Sequence, residues 1–292
     1  MKPSIANFAV RAAPAFFVVL WSTGFISTKM ALTGAEPLTW LSLRMAITIC
    51  LLLVIVAITR PAWPKGSQIF HSVVAGLLVH GVYLAGVTIA MGLSIPAGLS
   101  ALIPGLQPIL TSTLASRFLG ERVTPLQWGG LLLGLVGVAL VLHNRSLTGQ
   151  AGWGWVASIS SLIGITLGTL YQKRFSGHID WRTGNIVQYI AAGLCFSFGA
   201  LMFETRTIHW HPEFVLAVSW ATLVLSVGSV SLLYWLIRRS GATEVASLFY
   251  LSPAVTAVFA YALFGEQLDP VAIGGMVLCA IGVVVVNRAA PQ

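Results

Sequence analysis

Charge is what this sequence has least of. Asp, Glu, Lys and Arg make up 8% of its 292 residues, against about 25% in an ordinary soluble domain. A soluble fold of this length would need far more polar surface, and no stretch is polar or long enough to form a separate soluble domain. A composition that is 57% hydrophobic suits lipid as the solvent. Cysteine is also sparse. Cys50, Cys195 and Cys279 stand far apart inside apolar runs and read as small buried hydrophobes, not as a disulfide framework or a thiolate metal site. The phosphate loop, the His-Glu-x-x-His zinc motif and the Gly-x-Ser-x-Gly nucleophile elbow are all missing, so no metal, cofactor or catalytic centre is expected.

What is present is a succession of apolar runs, near 12–31, 38–59, 69–91, 96–118, 125–143, 152–172, 182–203, 213–236, 244–264 and 270–287. One span takes roughly 20 apolar residues, so the pattern predicts an all-α integral membrane protein with about ten transmembrane helices. Continuous runs such as Leu131 to Leu142 lack the alternation of a transmembrane β-barrel. Prolines at 37, 61, 96, 125, 212 and 270 punctuate the breaks, where a missing N–H costs least. The first run ends in Thr28-Lys29-Met30 without a small-x-small cleavage pattern, and so reads as a span and not a removable signal.

With the N-terminus in the cytoplasm and ten spans, only Lys29, Arg44, Arg145 and Arg206 of the sixteen basic residues fall outside. That bias places both termini in the cytoplasm. The net charge of +8 is then explained by basic cytoplasmic loops, and nucleic acid is not an expected partner.

The two halves resemble each other at one offset. Pro108 and Pro253, Gly120-Glu121 and Gly265-Glu266, Pro125 and Pro270, Gly129-Gly130 and Gly274-Gly275, and Gly137 and Gly282 are each 145 residues apart. Self-similarity at fixed spacing marks a repeat. Five spans per half is odd, so residues 1–145 and 146–292 are expected as two five-helix repeats inverted in the membrane. In such carriers the site lies near the midplane between the halves.

The segment Trp21-Ser22-Thr23-Gly24-Phe25 followed by Lys29, Pro37 followed by Arg44, and Ala101, Pro108 and Gly120-Glu121 resemble the first, second and fourth helices of EamA-type exporters of the drug/metabolite transporter superfamily. Tyr234 with Gly241-Ala242, and Pro253 with Gly265-Glu266, resemble the eighth and ninth. The resemblance covers essentially the whole chain and implies a ten-helix carrier of small metabolites in a bacterial inner membrane, commonly amino acids moved outward. Within the superfamily the chain is most similar to the aromatic-amino-acid exporters.

Ionisable and polar groups at membrane depth are functional suspects. His80 sits mid-run, with Tyr83 three residues on and on the same helix face. Either the pair meets a substrate carboxylate or amine, or His80 bonds a neighbouring helix. Ser100, Pro104, Gln107 and Thr111 share a face of the fourth run, where two prolines free carbonyls to line a cavity. Trp21 and Phe25 are four apart and suited to wall an aromatic ligand. Trp155, Tyr234 and Tyr250 are second-rank candidates, with interfacial anchoring as the alternative. Lys29 and Arg44, near outer run ends, are expected to snorkel to the interface; the alternatives are pairing with Glu36 or attracting a carboxylate. Gly130/Gly134 and Gly164/Gly168 fit close helix contact.

The leading function is secondary export of an amino acid, aromatic or bulky and apolar, by a chain that is expected to act as a monomer in the bilayer. All eight acidic residues lie at run ends or in loops, so no mid-membrane carboxylate is expected to couple protons. Downhill export or coupling through His80 remain. The rivals are a carrier of a nucleotide sugar or a drug-like cation, an intramembrane enzyme and a non-transporting subunit. A nucleotide sugar would want more positive charge than His80 alone supplies.

Overall fold

The computed structural model describes residues 5–95, 100–101, 103–141, 152–264 and 270–289. Gly265-Glu266, Arg145, Pro96 and the junction at 145/146 lie outside these residues. Helix follows the apolar runs: α1 (Ile5–Ala31), α2 (Pro37–Thr59), α3 (Ser67–Gly92), α4 (Gln107–Phe118, preceded by a 3₁₀ turn at Pro104–Leu106), α5 (Pro125–Val141), α6 (Gly152–Ser176), α7 (Trp181–Phe203), α8 (Pro212–Arg239), α9 (residues 242–264) and α10 (Pro270–Arg288). Among the described residues there is no strand, only an isolated bridge between Ala35 and Ile208. Among the described residues seven helices are long and apolar enough to cross a membrane: α2, α3, α6, α7, α8, α10 and the Ala242–Phe259 part of α9. Large side chains such as Ile58, Leu194 and Phe203 stand 77%, 67% and 82% exposed on their outer faces, as an apolar solvent permits. The chain is an all-helical integral membrane protein.

Two apolar clusters hold the bundle. One joins Phe17, Trp21, Phe25 and Tyr83 to Leu233, Phe249 and Tyr250; the other joins Trp40, Leu41 and Met45 to Tyr189, Phe196 and Phe214. A close seam joins α5 and α10. A Cβ at Gly137 would lie 2.7 Å from the Gly275 carbonyl oxygen, and one at Gly275 would lie 2.6 Å from that of Gly137. Gly130 and Gly282 approach each other in the same way, at 2.9 and 2.7 Å. Backbone meets backbone here, which only glycine permits. Because 130 faces 282 while 137 faces 275, the helices run antiparallel. The pairs also exchange under the 145-residue offset, as across a local two-fold axis. Cys279 Sγ, 3.6 Å from the Gly134 carbonyl oxygen, bridges two positions that are themselves equivalent and so sits at that axis.

The offset recurs in local geometry. α3 carries a π-helical stretch at Leu77–Val82 and α8 one at Trp220–Ser229, overlapping when shifted by 145. Gly120 takes φ +70°, turning the chain so that Glu121 reaches the start of α9. The Glu121 carboxylate accepts N–H bonds from Ala242 at 2.8 Å and Thr243 at 3.4 Å, and Lys173 Nζ lies 3.4 Å away. An anion at the orphan donors of a helix start is a favoured arrangement.

Two expectations need correction. Cys50 and Cys195 are exposed, and only Cys279 is buried. Apolar neighbours do not predict burial when the outer face of a helix is as lipophilic as its inner one. Arg44 does not snorkel outward. It is 5% exposed, two turns into α2 and roughly 10 Å along it from Pro37. The supposed partner Glu36 instead accepts bonds from the Thr205 N–H and hydroxyl at 2.7 and 2.6 Å.

Candidate functional site

Where α1, α2, α3 and α8 converge, they enclose a cavity of about 40 Å³. From α1 come Trp21, Gly24, Phe25 and Thr28, spaced by three and four residues along one face. α2 contributes Arg44; α3 contributes Val79, His80, Tyr83, Leu84, Val87 and Thr88; α8 contributes Leu225, Ser229 and Val230. Trp21 and Tyr83 lie nearly parallel across it, with centroids 5.9 Å apart and planes at 13°. Phe17 and Phe249 brace the far side of the indole at 5.3 Å each. The apolar wall is therefore built of rings held in place by other rings.

The polar wall is a connected network. Tyr234 donates its hydroxyl proton to Gln188 Oε1 at 2.7 Å, and the Tyr234 hydroxyl oxygen lies 3.2 Å from His80 Nε2. Gln188 donates in turn to Gln172 Oε1 at 3.3 Å. The His80 ring packs on Tyr189 with centroids 4.5 Å apart, and Tyr189 donates to the Ser226 carbonyl at 2.8 Å. Arg44 Nε donates to the Ser226 hydroxyl at 3.0 Å. Among the described residues Arg44 is the only Lys, Arg, Asp or Glu that is buried. The ion pairs these residues form, Lys173–Glu121 and Arg182–Asp180, do not involve it.

Of the nine residues expected from the sequence, Trp21, Phe25, His80 and Tyr83 line this cavity, and Tyr234 stands directly behind His80. The other four are elsewhere. Ser100 is buried without a partner for its hydroxyl. Gln107 Nε2 donates to Thr169 on α6 at 3.2 Å while its carbonyl oxygen is unpartnered, so the polar face of α4 packs against α6 and not onto the cavity. Tyr250 lies over Gly134 on α5, where an added Cβ would fall 2.5 Å from its ring. Trp155 is half-buried against Ala90 and Ile95. The sequence places Arg44 at the interface, with attraction of a carboxylate as an alternative, and does not single out Gln188, Tyr189 or Ser226. Counting Arg44's depth along α2 would have found it; the other three carry no local signal in an apolar run with scattered hydroxyls.

The cavity holds no more than a few waters and is far below the roughly 300–1,000 Å³ of drug-sized pockets. A larger ligand requires the walls to part. The π-helical stretches on α3 and α8 lie in those walls and contain Val79, His80, Leu225 and Ser229. Such stretches are frequent at functional sites.

Comparison with known proteins agrees with this architecture. The model of the EamA-like transporter family matches residues 13–143 and 152–288. An uncharacterized inner membrane transporter of Escherichia coli, YedA, is 24% identical over 87% of this chain and 82% of its own length. A probable amino-acid metabolite efflux pump of Escherichia coli is 26% identical over 91% of this chain and 90% of its own. A protein of known crystal structure superposes with a TM-score of 0.78 at 19% identity, covering 95% of this chain and 96% of that one, and shares the fold.

Proposed function

The chain belongs to the EamA-like transporter family, and on that footing we propose that this multi-pass inner-membrane transporter exports aromatic or bulky apolar amino acids by alternating access. The observation that carries the reading is the ring-walled cavity with one polar wall, where helices converge at the centre of the bundle. Trp21, Phe25 and Tyr83 take the substrate side chain by offset stacking. His80, positioned by Tyr234, takes part in binding its polar end. The name of the amino-acid metabolite efflux relative supports the substrate class.

Two five-helix halves, residues 1–145 and 146–292, supply the mechanics, with both termini in the cytoplasm. The antiparallel α5–α10 seam, with its exchanged glycine pairs, supports halves related by a two-fold axis in the membrane plane. Halves so related present one site to either side through equivalent conformations. The walls open by bending at the π-helical stretches while the seam holds. No Asp or Glu among the described residues is buried, so a carboxylate proton relay is not part of the scheme; export runs downhill or couples through His80.

The test is uptake of labelled tryptophan and phenylalanine into proteoliposomes, with threonine as competitor. Saturable aromatic uptake, unaffected by threonine and lost in His80→Ala, is the expected result. Absent aromatic uptake alongside transport of another metabolite would discard the substrate assignment.

A further inference from the structure

Arginine keeps its proton in proteins, so Arg44 brings a permanent positive charge to the cavity. A buried charge is stable only when paired and hydrogen-bonded. Arg44 uses its Nε on the Ser226 hydroxyl, and no carboxylate among the described residues lies within ion-pair distance. The guanidinium fork matches a carboxylate in two parallel bonds. The other polar groups of the lining are the His80 imidazole, the Trp21 indole N–H and the hydroxyls of Thr28, Tyr83, Thr88 and Ser229. Among the described residues the lining holds no Asp or Glu to receive an ammonium group, and an ammonium beside the guanidinium would be repelled in this low-dielectric site.

We propose that the cavity is built for aromatic monocarboxylate anions, anchored by Arg44, and that the amino group of a substrate is dispensable. The assignment rests on the reading that this cavity is the transport site, and it extends the substrate class. Arylpropionates, aryl 2-oxo acids and N-acylated aromatic amino acids fit the single positive charge and the ring wall. Aromatic amines do not, since they present a cation to Arg44 and leave it unpaired. Arg44 thus selects the anionic end of the substrate, while Trp21 and Tyr83 select its ring.

Binding of phenylalanine, 3-phenylpropionate and phenethylamine, each measured separately on the purified full-length protein by ligand-induced thermal shift and intrinsic fluorescence, tests this directly. The wild type is expected to bind 3-phenylpropionate at least as tightly as phenylalanine, and phenethylamine about tenfold or more weakly, as loss of a charge-assisted bond implies. Arg44→Gln should remove that discrimination with about a tenfold loss for both carboxylates, and Arg44→Lys should fall between. The wild-type comparison stands even if a variant fails to fold. Phenethylamine binding as well as 3-phenylpropionate would overturn the proposal, as would a folded Arg44→Gln with unchanged carboxylate affinity. Binding of 3-phenylpropionate without phenylalanine would sink the amino-acid reading and leave this one standing. Binding of none of the three would sink both.

Discussion

The α5–α10 seam and the cavity among α1, α2, α3 and α8 are made of opposite materials. In the seam, glycines bring backbone onto backbone, with the side chains of Leu140, Cys279, Val285 and Val286 packed beside them. In the cavity, bulky rings, an arginine and a histidine face one another across space, on helices interrupted by π-helical stretches. A contact between backbones has one good geometry and resists displacement. A wall of side chains on irregular helices has several. The molecule thus builds its closest backbone contact and its cavity from side chains of opposite size, and the proposed alternating access would bend the second and spare the first.

The strongest way to break that contrast is to add atoms to the seam. Gly137→Val places a side chain against the Gly275 carbonyl and should cost about 3 kcal/mol, the upper end of overpacking, seen as a large fall in melting temperature in detergent. Gly129→Ala, on a face with nothing within 4 Å of an added Cβ, should leave melting unchanged or raise it. Equal behaviour of the two variants would refute a close seam.

Next in size is the polar wall. Tyr234→Phe removes the hydroxyl shared by Gln188 and His80 and should cost about 1–2 kcal/mol, because buried partners lose their bond. A melting temperature equal to wild type would show that the network is not coupled as the distances indicate.

The ring wall should matter for ligand more than for fold. Trp21→Ala should weaken tryptophan binding by up to about tenfold relative to leucine, the worth of one aromatic pair. Equal losses for both ligands would argue against stacking.

The smallest effect belongs to Glu36, outside the spans. The Thr205 hydroxyl bonded to its carboxylate holds it below the ordinary carboxyl range. A depressed carboxyl contributes stability above its unfolded value and loses it as pH falls through the folded one. The melting temperature should therefore drop slightly below about pH 4, and Glu36→Gln should abolish that drop.

Much of this was legible in one dimension. Among the described residues the apolar runs agree with the helices to within a few residues, apart from the earlier start of α1 and the start of α4 at Gln107, well inside the run that begins at 96. Trp21 with Phe25, and His80 with Tyr83, reach the cavity together because three- and four-residue spacing fixes a common face on any helix. Gln107 failed on rotation. Its polar face is real, but α6 covers it, and spacing cannot say which neighbour a face meets. Arg44 sits deeper than the interface, as the two turns from Pro37 imply, but that this depth meets a cavity depends on the other helices. Tyr189 and Ser226 acquire a role only because α7 and α8 bring them to Arg44.

That this chain lives in lipid, that it folds as helices and that its halves echo each other at a spacing of 145 can all be read along the chain. These follow from hydrophobicity and periodicity, which are local and additive along the chain. The place of Arg44 at the cavity wall, the antiparallel glycine seam and the cover over the polar face of α4 emerge only when the helices pack. Those outcomes depend on which helix faces which neighbour. In a chain where the lipid-facing and protein-facing sides of a helix are almost equally apolar, hydrophobicity does not encode that choice; close packing and the pairing of a few polar groups make it.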